Sequence, residues 1–496
     1  MTYDMPSGEI FVAGEWRRGQ GRDIRSVFAA DGTENLTFKG AAQSDADDAV
    51  DGAATAQKAW GALKPFERAR HLYRIADAIE ADASRLAYIQ MRDTSKSLRE
   101  TTALVRSAAG TFRYFAAVAE THDEQLTSAR GEYLSLSVHE PLGVVAGITP
   151  WNSPIASDAQ KAAPALAAGN AIILKPSSWA PLTSLALAEI VEQAGLPAGL
   201  FSVLPGSGSE VGNRLVEHPD VAKVSFTGGT STGLKLAEIA ARKLMPISLE
   251  LGGKSPTIVF EDADIDLAIA GILFGVFSST GQSCIAGSRL FVAQAIYGEF
   301  MDRLVTATRQ LRIGHPEDPR TQVAPMVHAD QRASVAGFVE AAREEGGRVL
   351  CGGRAPEGPH YADGTYFEPT IIDEVSNDAL ICREEVFGPV LAAMPFSGDD
   401  EVIARANDNA YGLACGLWTR DLPRAWRVAR SVTSGTVWVN TYKQFSISAP
   451  FGGEGMSGMG REKGRQGLLA YMAQKSVYLD TSGAPHPWAD WPPAGE

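Results

Sequence analysis

Residues 221–244 read VAKVSFTGGTSTGLKLAEIAARKL, and the two halves of that stretch carry different periodicities. Val221–Phe226 is a short apolar and β-branched run, the pattern of a strand buried on both faces. Beyond Gly228 and Gly229 the apolar residues return at helical spacing as far as Leu244. A strand handed to a helix through a glycine turn is half of a β–α–β unit. Upstream, GVVAGITP (143–150), NAIILKPS (170–177) and LFSVLPG (200–206) repeat the strand pattern, with TSLALAEIVEQAG (183–195) as a helix among them. Downstream, SPTIVF (255–260), RLFVA, PTIIDEV and GTVWVN alternate with helical text such as DIDLAIAGILFGVFSST and YGEFMDRLVTATRQL. The fold class expected is therefore α/β, with two parallel-sheet domains meeting near Leu251–Lys254.

Residues 45–119 are rich in Ala, Leu, Arg and Glu at helical spacing and read as amphipathic helices packed on something else. EYLSLSVHE (132–140) and KSVYLD (475–480) alternate like exposed strands and belong to no β–α unit. They are expected to pair with each other outside both domains. The tail HPWADWPPAGE (486–496) reads as irregular.

Of 496 residues, 45% are hydrophobic and 21% charged, which excludes a wholly disordered chain and supplies two or three cores. A formal charge of −14 argues against nucleic acid as a partner, since phosphate binding needs a basic face. The N-terminus has no basic region followed by an apolar stretch, and no apolar run reaches transmembrane length. No membrane association and a cytoplasmic location are expected. The four cysteines, Cys284, Cys351, Cys382 and Cys415, lack both the number for a disulfide scaffold and the spacing of a zinc site, so no metal is expected.

Three residues stand out chemically. Cys284, in FSSTGQSCIAGSR, follows a helical stretch and the Gly281 break. Loop N–H donors there would lower its thiol pKa toward a usable nucleophile, although a lone cysteine also serves as a small buried hydrophobe. Glu250, in SLELGGKSP, ends an apolar strand, where desolvation would raise its pKa toward that of a general base. A salt-bridged strand-end carboxylate fits the same text. Asn152, in TPWNSP, follows Trp151 and offers an amide N–H for a developing oxyanion, or simply a turn before Pro154.

PWN (150–152), LELGGKSP (249–256), GQSCIAGSR (281–289) and EEVFGPV (384–390) occur in that order. On these motifs the chain resembles the aldehyde dehydrogenase superfamily over essentially its whole length. The resemblance implies a Rossmann-like NAD(P)-binding domain (1–122 and 142–252), a catalytic domain (253–465), and a small β oligomerisation element (123–141 and 466–496). It implies a homodimer or homotetramer that oxidises a small-molecule aldehyde to an acid through a thioester on Cys284. The oxyanion would be held by Asn152, and water would be activated by Glu250. That carboxylate favours hydrolysis over transfer to coenzyme A. A protein that keeps the fold without catalysis is the competing reading, and intact Cys284, Glu250 and Asn152 weigh against it.

The cofactor implied is NAD or NADP. Lys175 would reach the adenosine ribose, Glu385 with Phe387 the nicotinamide ribose, and Trp151 would adjoin them. The turn carrying Gly228, Gly229 and Gly233 presents backbone N–H groups at a helix start, though it is not the GxGxxG fingerprint. Ser178 stands where NAD-preferring relatives often carry a glutamate that would repel a 2′-phosphate, so NADP⁺ is expected to be accepted. The substrate pocket is expected near Ser153, Gln160, Phe445 and Phe451, part polar and suited to a functionalised or cyclic aldehyde. A succinate-semialdehyde type is disfavoured, because Gln160 and Ser278 replace the arginines such enzymes use for the second carboxylate. Arg465 stands where many relatives have a proton-relaying glutamate, and an arginine cannot relay.

Overall fold

The computed structural model describes residues 3–485 and Trp488; the expectation for the rest of the tail lies outside the described residues. Among them no helix is long and apolar enough to cross a membrane. The strand Val221–Thr227 and the helix Thr230–Ala241 form as the opening stretch dictates, with Gly229 as the helix N-cap.

That strand belongs to an eight-stranded sheet. Val144–Ile148 lies at its middle, with Ala171–Lys175 and Phe201–Val203 on one side and Val221–Thr227 and Ile247–Glu250 on the other, all parallel. Four helices, Gln43–Ala62, Pro65–Ala81, Ala83–Thr94 and Leu98–Glu120, account for the amphipathic N-terminal text. Their apolar faces join the same core as that sheet. Trp60 ties the first of them down, its indole N–H donating to the Leu166 carbonyl at 2.9 Å.

The second sheet has seven strands, in the order Arg348–Cys351, Thr370–Asp373, Val390–Phe396, Arg289–Ala293, Pro256–Val259, Ala414–Trp418 and Thr436–Val439. Only the first of these is antiparallel to its neighbour. A third sheet pairs Tyr133–Pro141 with Met472–Asp480 in antiparallel register from Tyr133↔Asp480 to Pro141↔Met472, and adds Gln125–Thr127. The two alternating segments do find each other.

The chain does not stay with the second sheet up to 465. Gly458–Met459 crosses back and pairs antiparallel with Leu249 and Glu250 in the first sheet. Its sequence, GGEGMSGMG, has no apolar periodicity to betray a strand, because only its backbone takes part.

Candidate active site

Strand order in the first sheet reverses between Val144–Ile148 and Val221–Thr227. Open α/β sheets bind ligands in the crevice outside the carboxyl ends at such a reversal. The candidate residues of the first half lie there: Trp151 and Asn152 after one strand, Lys175 at the end of the next, Gly228 and Gly229 after Val221–Thr227, and Glu250 ending Ile247–Glu250. The second sheet meets them with the loops that precede its strands, which carry Cys284, Glu385 and Phe387.

Cys284 is delivered by a sharp break. The helix Ile265–Phe277 ends, and Ser279, Thr280 and Gly281 follow with φ of 57°, 56° and 68°. A Cβ on Gly281 would also meet the Gly388 carbonyl oxygen at 2.0 Å, so only glycine fits. The turn is pinned from outside: the Ser279 N–H donates to Glu100 at 2.6 Å, the Thr280 hydroxyl to the Ala324 carbonyl at 2.8 Å, and the Val327 N–H to the Gln282 side chain at 3.0 Å. The Asn152 amide donates to the Gln282 carbonyl at 3.1 Å, two residues before the sulfur. Gly253 packs so closely that an added Cβ would lie 2.3 Å from the Cys284 carbonyl oxygen. Asn152 and the strand end that carries Glu250 thus converge on the Cys284 loop.

The free thiol is not lowered as the loop reading expected. Burial, reinforced by the carboxylates of Glu385 and Glu250, pushes Cys284 up to about 12. Desolvation and two acidic neighbours outweigh the backbone donors. Glu250 behaves as its sequence context implies. It is buried, neither carboxylate oxygen has a hydrogen-bond partner, and its pKa is held well above the ordinary range by burial and by Glu462.

Glu462 is the group that sequence reasoning missed. Its carboxylate pairs with the buried Lys161 ammonium at 2.6 Å, and Lys161 also donates to Ser225 and Thr227 at 3.1 and 2.8 Å. The backbone of Glu462 exchanges two hydrogen bonds with Phe451. A glutamate is therefore present within electrostatic reach of Glu250, three residues before the position at which one was sought. Arg465 is exposed and acts on Tyr114, not on Glu250. One sequence signal existed: Lys161 stands directly before the apolar run AAPALAA as a charge that needs a partner.

The dinucleotide residues fit their expected ligand. Lys175 is buried, pushed down to about 8 by burial, and donates only to the neighbouring Pro176 carbonyl at 2.9 Å, leaving an ammonium without a carboxylate. Glu385 accepts from the Gly253 N–H at 3.0 Å and is raised to about 7 by burial. Phe387, at a left-handed φ of 51°, packs edge-on to Trp151 with centroids 5.2 Å apart. A Cβ on Gly233 would strike the Leu251 side chain at 2.4 Å, while one on Gly229 would enter open space, so the helix start is accessible. Ser178 donates to the Gly206 carbonyl at 2.9 Å and lines a cavity of about 240 Å³ with Arg22, Arg25 and Ser207.

Of the pocket candidates, Phe445 and Phe451 meet with centroids 5.6 Å apart, and the Lys463 ammonium lies 4.1 and 5.2 Å from them. Ser153 precedes the helix Pro154–Ala167 and faces the Ser157 hydroxyl at 3.2 Å. Gln160 is half-buried on that helix.

Comparison with known proteins agrees with this geometry. The model described as "Aldehyde dehydrogenase family" matches residues 16–477. A betaine aldehyde dehydrogenase of Mesorhizobium japonicum is 43% identical over 485 residues, covering 97% of this chain and 99% of its own. A putative aldehyde dehydrogenase from Burkholderia cenocepacia superposes with a TM-score of 0.95 at 40% identity, covering 97% and 99% of the two chains. The Staphylococcus aureus betaine aldehyde dehydrogenase in complex with NAD⁺ superposes with a TM-score of 0.95 at 35% identity, covering 97% and 96%.

Because a base works only when ionised, the raised Glu250 loses its ionised form as pH falls through that raised value. Glu462→Gln removes the repulsion and leaves Lys161 to attract Glu250, so both changes lower it. The alkaline-rising limb of kcat against pH is expected to move about one unit or more toward acid. A limb that stays in place would separate Glu462 from the base.

Proposed function

Since the chain belongs to the aldehyde dehydrogenase family, we propose that it oxidises a polar aldehyde to its carboxylic acid through a covalent thioester on Cys284. The observation that carries the reading is the buried, unpaired carboxylate of Glu250 within electrostatic reach of the Cys284 sulfur.

A thiol held near 12 does not ionise in advance at neutral pH. Its proton passes to solvent, which the half-buried Cys284 reaches, as the sulfur bonds to the aldehyde carbon, leaving Glu250 free for the later step. The carbonyl electron pair moves onto oxygen, where the Asn152 amide and the Cys284 backbone N–H stabilise it. One such donor is worth about 3 kcal/mol. Lys175 and Glu385 would hold NAD(P)⁺, which when bound would supply the acceptor for the hydride lost as the thiohemiacetal becomes a thioester. Glu250 then takes a proton from water, the water oxygen bonds to the acyl carbon, and the carbon–sulfur bond breaks to release the acid. Lys161 and Glu462 stand behind Glu250 to carry the proton away.

The division of labour has a direct kinetic signature. Cys284→Ser is expected to abolish cofactor reduction. Glu250→Gln should retain a single burst of reduced cofactor near one per active site, with steady turnover lowered by on the order of 10²-fold or more. A Glu250→Gln protein with neither burst nor trapped acyl group would remove Glu250 from deacylation alone.

Ser178 in place of a carboxylate supports acceptance of NADP⁺ as well as NAD⁺, in a cavity whose lining carries Asp23 alongside Arg22 and Arg25. Ser178→Glu is expected to lower kcat/KM for NADP⁺ relative to NAD⁺ by about tenfold or more, through repulsion of the 2′-phosphate. An unchanged ratio would place the discrimination elsewhere.

The third sheet leaves Leu126, Leu134, Tyr478 and Leu479 exposed, and its strand Met472–Asp480 has a free edge. A homodimer or homotetramer would cover both. Leu134→Glu with Leu479→Glu is expected to shift the mass in light scattering toward the monomer. An unchanged mass would exclude this surface as the interface.

A further inference from the structure

Three cations lie around the Cys284 pocket. Lys463 is directed at the Phe445 and Phe451 rings, with Glu462 and Glu250 nearby. Glu100 acts on both Lys96 and Lys443. Lys443 is the one that also meets Ser278. It stands on the loop after Thr436–Val439, in the segment that carries Phe445 and Phe451, with a left-handed φ of 53° that a lysine rarely adopts. Backbone strain of this kind persists only where the surroundings impose it.

The Lys443 ammonium donates to the Ser278 hydroxyl at 2.8 Å. Ser278 in turn donates to the Phe274 carbonyl, so its remaining lone pair is oriented toward the lysine. Among the described residues no carboxylate comes within the 4.0 Å of an ion pair with Lys443. Glu100, the acidic group that acts on it, is committed elsewhere, accepting from the Ser279 N–H at 2.6 Å and from the Ser97 hydroxyl at 2.8 Å. Burial and the neighbouring Lys96 hold Lys443 down to about 7, and it faces the Cys284 sulfur electrostatically. An ammonium has three N–H donors; one is directed at Ser278, and the ammonium also lies 5.9 Å from the Phe274 ring centroid.

Ser278 is also one of the two positions at which a cation was expected to be missing. The cation is there, supplied from the opposite loop, and the objection to a second carboxylate loses its basis. The aromatic faces of Phe445 and Phe451 are already met by the Lys463 ammonium at 4.1 and 5.2 Å, and Lys463 and Lys443 would both repel a quaternary ammonium. What the curated relatives are named for does not suit this wall.

We propose that the substrate is an aldehyde bearing a carboxylate at the end remote from the carbonyl, bound by the Lys443 ammonium, which Ser278 positions. This rests on the reading of Cys284 and Glu250 as an aldehyde-oxidising pair. Lys443 here is a specificity determinant, and no step of the chemistry passes through it.

The test compares matched acid and ester aldehydes with the full-length enzyme and NAD(P)⁺: 4-oxobutanoate against its methyl ester, 4-formylbenzoate against its methyl ester, and betaine aldehyde as the cationic probe. In the wild type, kcat/KM for an acid is expected to exceed that for its ester by about thirtyfold in at least one pair, with betaine aldehyde below both. Lys443→Met should collapse that ratio, mainly through KM, and Lys443→Arg should restore most of it. Wild-type esters matching or exceeding the acids in both pairs would overturn the proposal without any variant having to fold, and so would a ratio unchanged in Lys443→Met. If no aldehyde of any charge is turned over and Cys284 resists substrate-protected labelling, the aldehyde-oxidising reading itself fails. Turnover without acid preference sinks only the proposal made here.

Discussion

The carboxylate of Glu250 sits at the last residue of a parallel strand, both oxygens buried and unpaired, and a group in that state resists ionisation strongly. Its surroundings are arranged around that cost. Strand pairing fixes its backbone on both sides, to Val221–Thr227 and to Gly458–Met459. The nearest full charges are themselves paired: Lys161 with Glu462 at 2.6 Å, further fixed by Ser225 and Thr227. A lone cation in place of that pair would ionise Glu250 permanently and weaken it as a base. A lone carboxylate would keep it protonated. The pair leaves burial as the dominant influence, and that is what a base for water requires.

The same constraint explains the state of the thiol. Cys284, half-buried, lies within reach of the Glu250 and Glu385 carboxylates, and negative charge is costly there. Storing the nucleophile as a thiol protects it from oxidation, since the oxidation ladder starts from the thiolate. The left-handed turn Ser279–Gly281 keeps the sulfur in place without help from a charge. Rigidity is obtained from backbone geometry and from outside contacts through Glu100, Ala324 and Val327, and electrostatic activation is deferred to the reaction.

Much of this was legible in the chain. The two parallel sheets followed from the β–α alternation, and the third sheet from two alternating segments more than 300 residues apart, because both signals are local patterns of period 2 and 3.6. Cys284, Glu250 and Asn152 were conspicuous because each is a polar residue set in an apolar or glycine-rich context. Lys161 and Glu462 were not recognised together. Their separation carries no period, and the run GREKGRQG offers several charged residues with nothing to say which faces inward. Lys443 was invisible for a different reason: it lies in a loop without periodicity, and its importance comes from a serine on another element. The thiol's direction was misjudged because sequence shows donors near a residue but not the depth of its burial.

That last point bears on how relatives are used. An identity of 43% over nearly the whole chain leaves more than half of the positions different, while packed cores tolerate little change. The pocket wall is made of side chains from loops and helix starts, at positions 153, 160, 278 and 443, whose replacement leaves the sheets and turns intact. Two proteins can therefore share the reaction and the backbone while presenting opposite charge to the far end of the substrate. In a pocket that is partly dry the sign of one ammonium outweighs the shape of its apolar lining, since Coulomb energies grow as the dielectric falls, whereas the gain from apolar burial stays proportional to area. Lys443 and its single serine partner decide more about the substrate here than the family resemblance does.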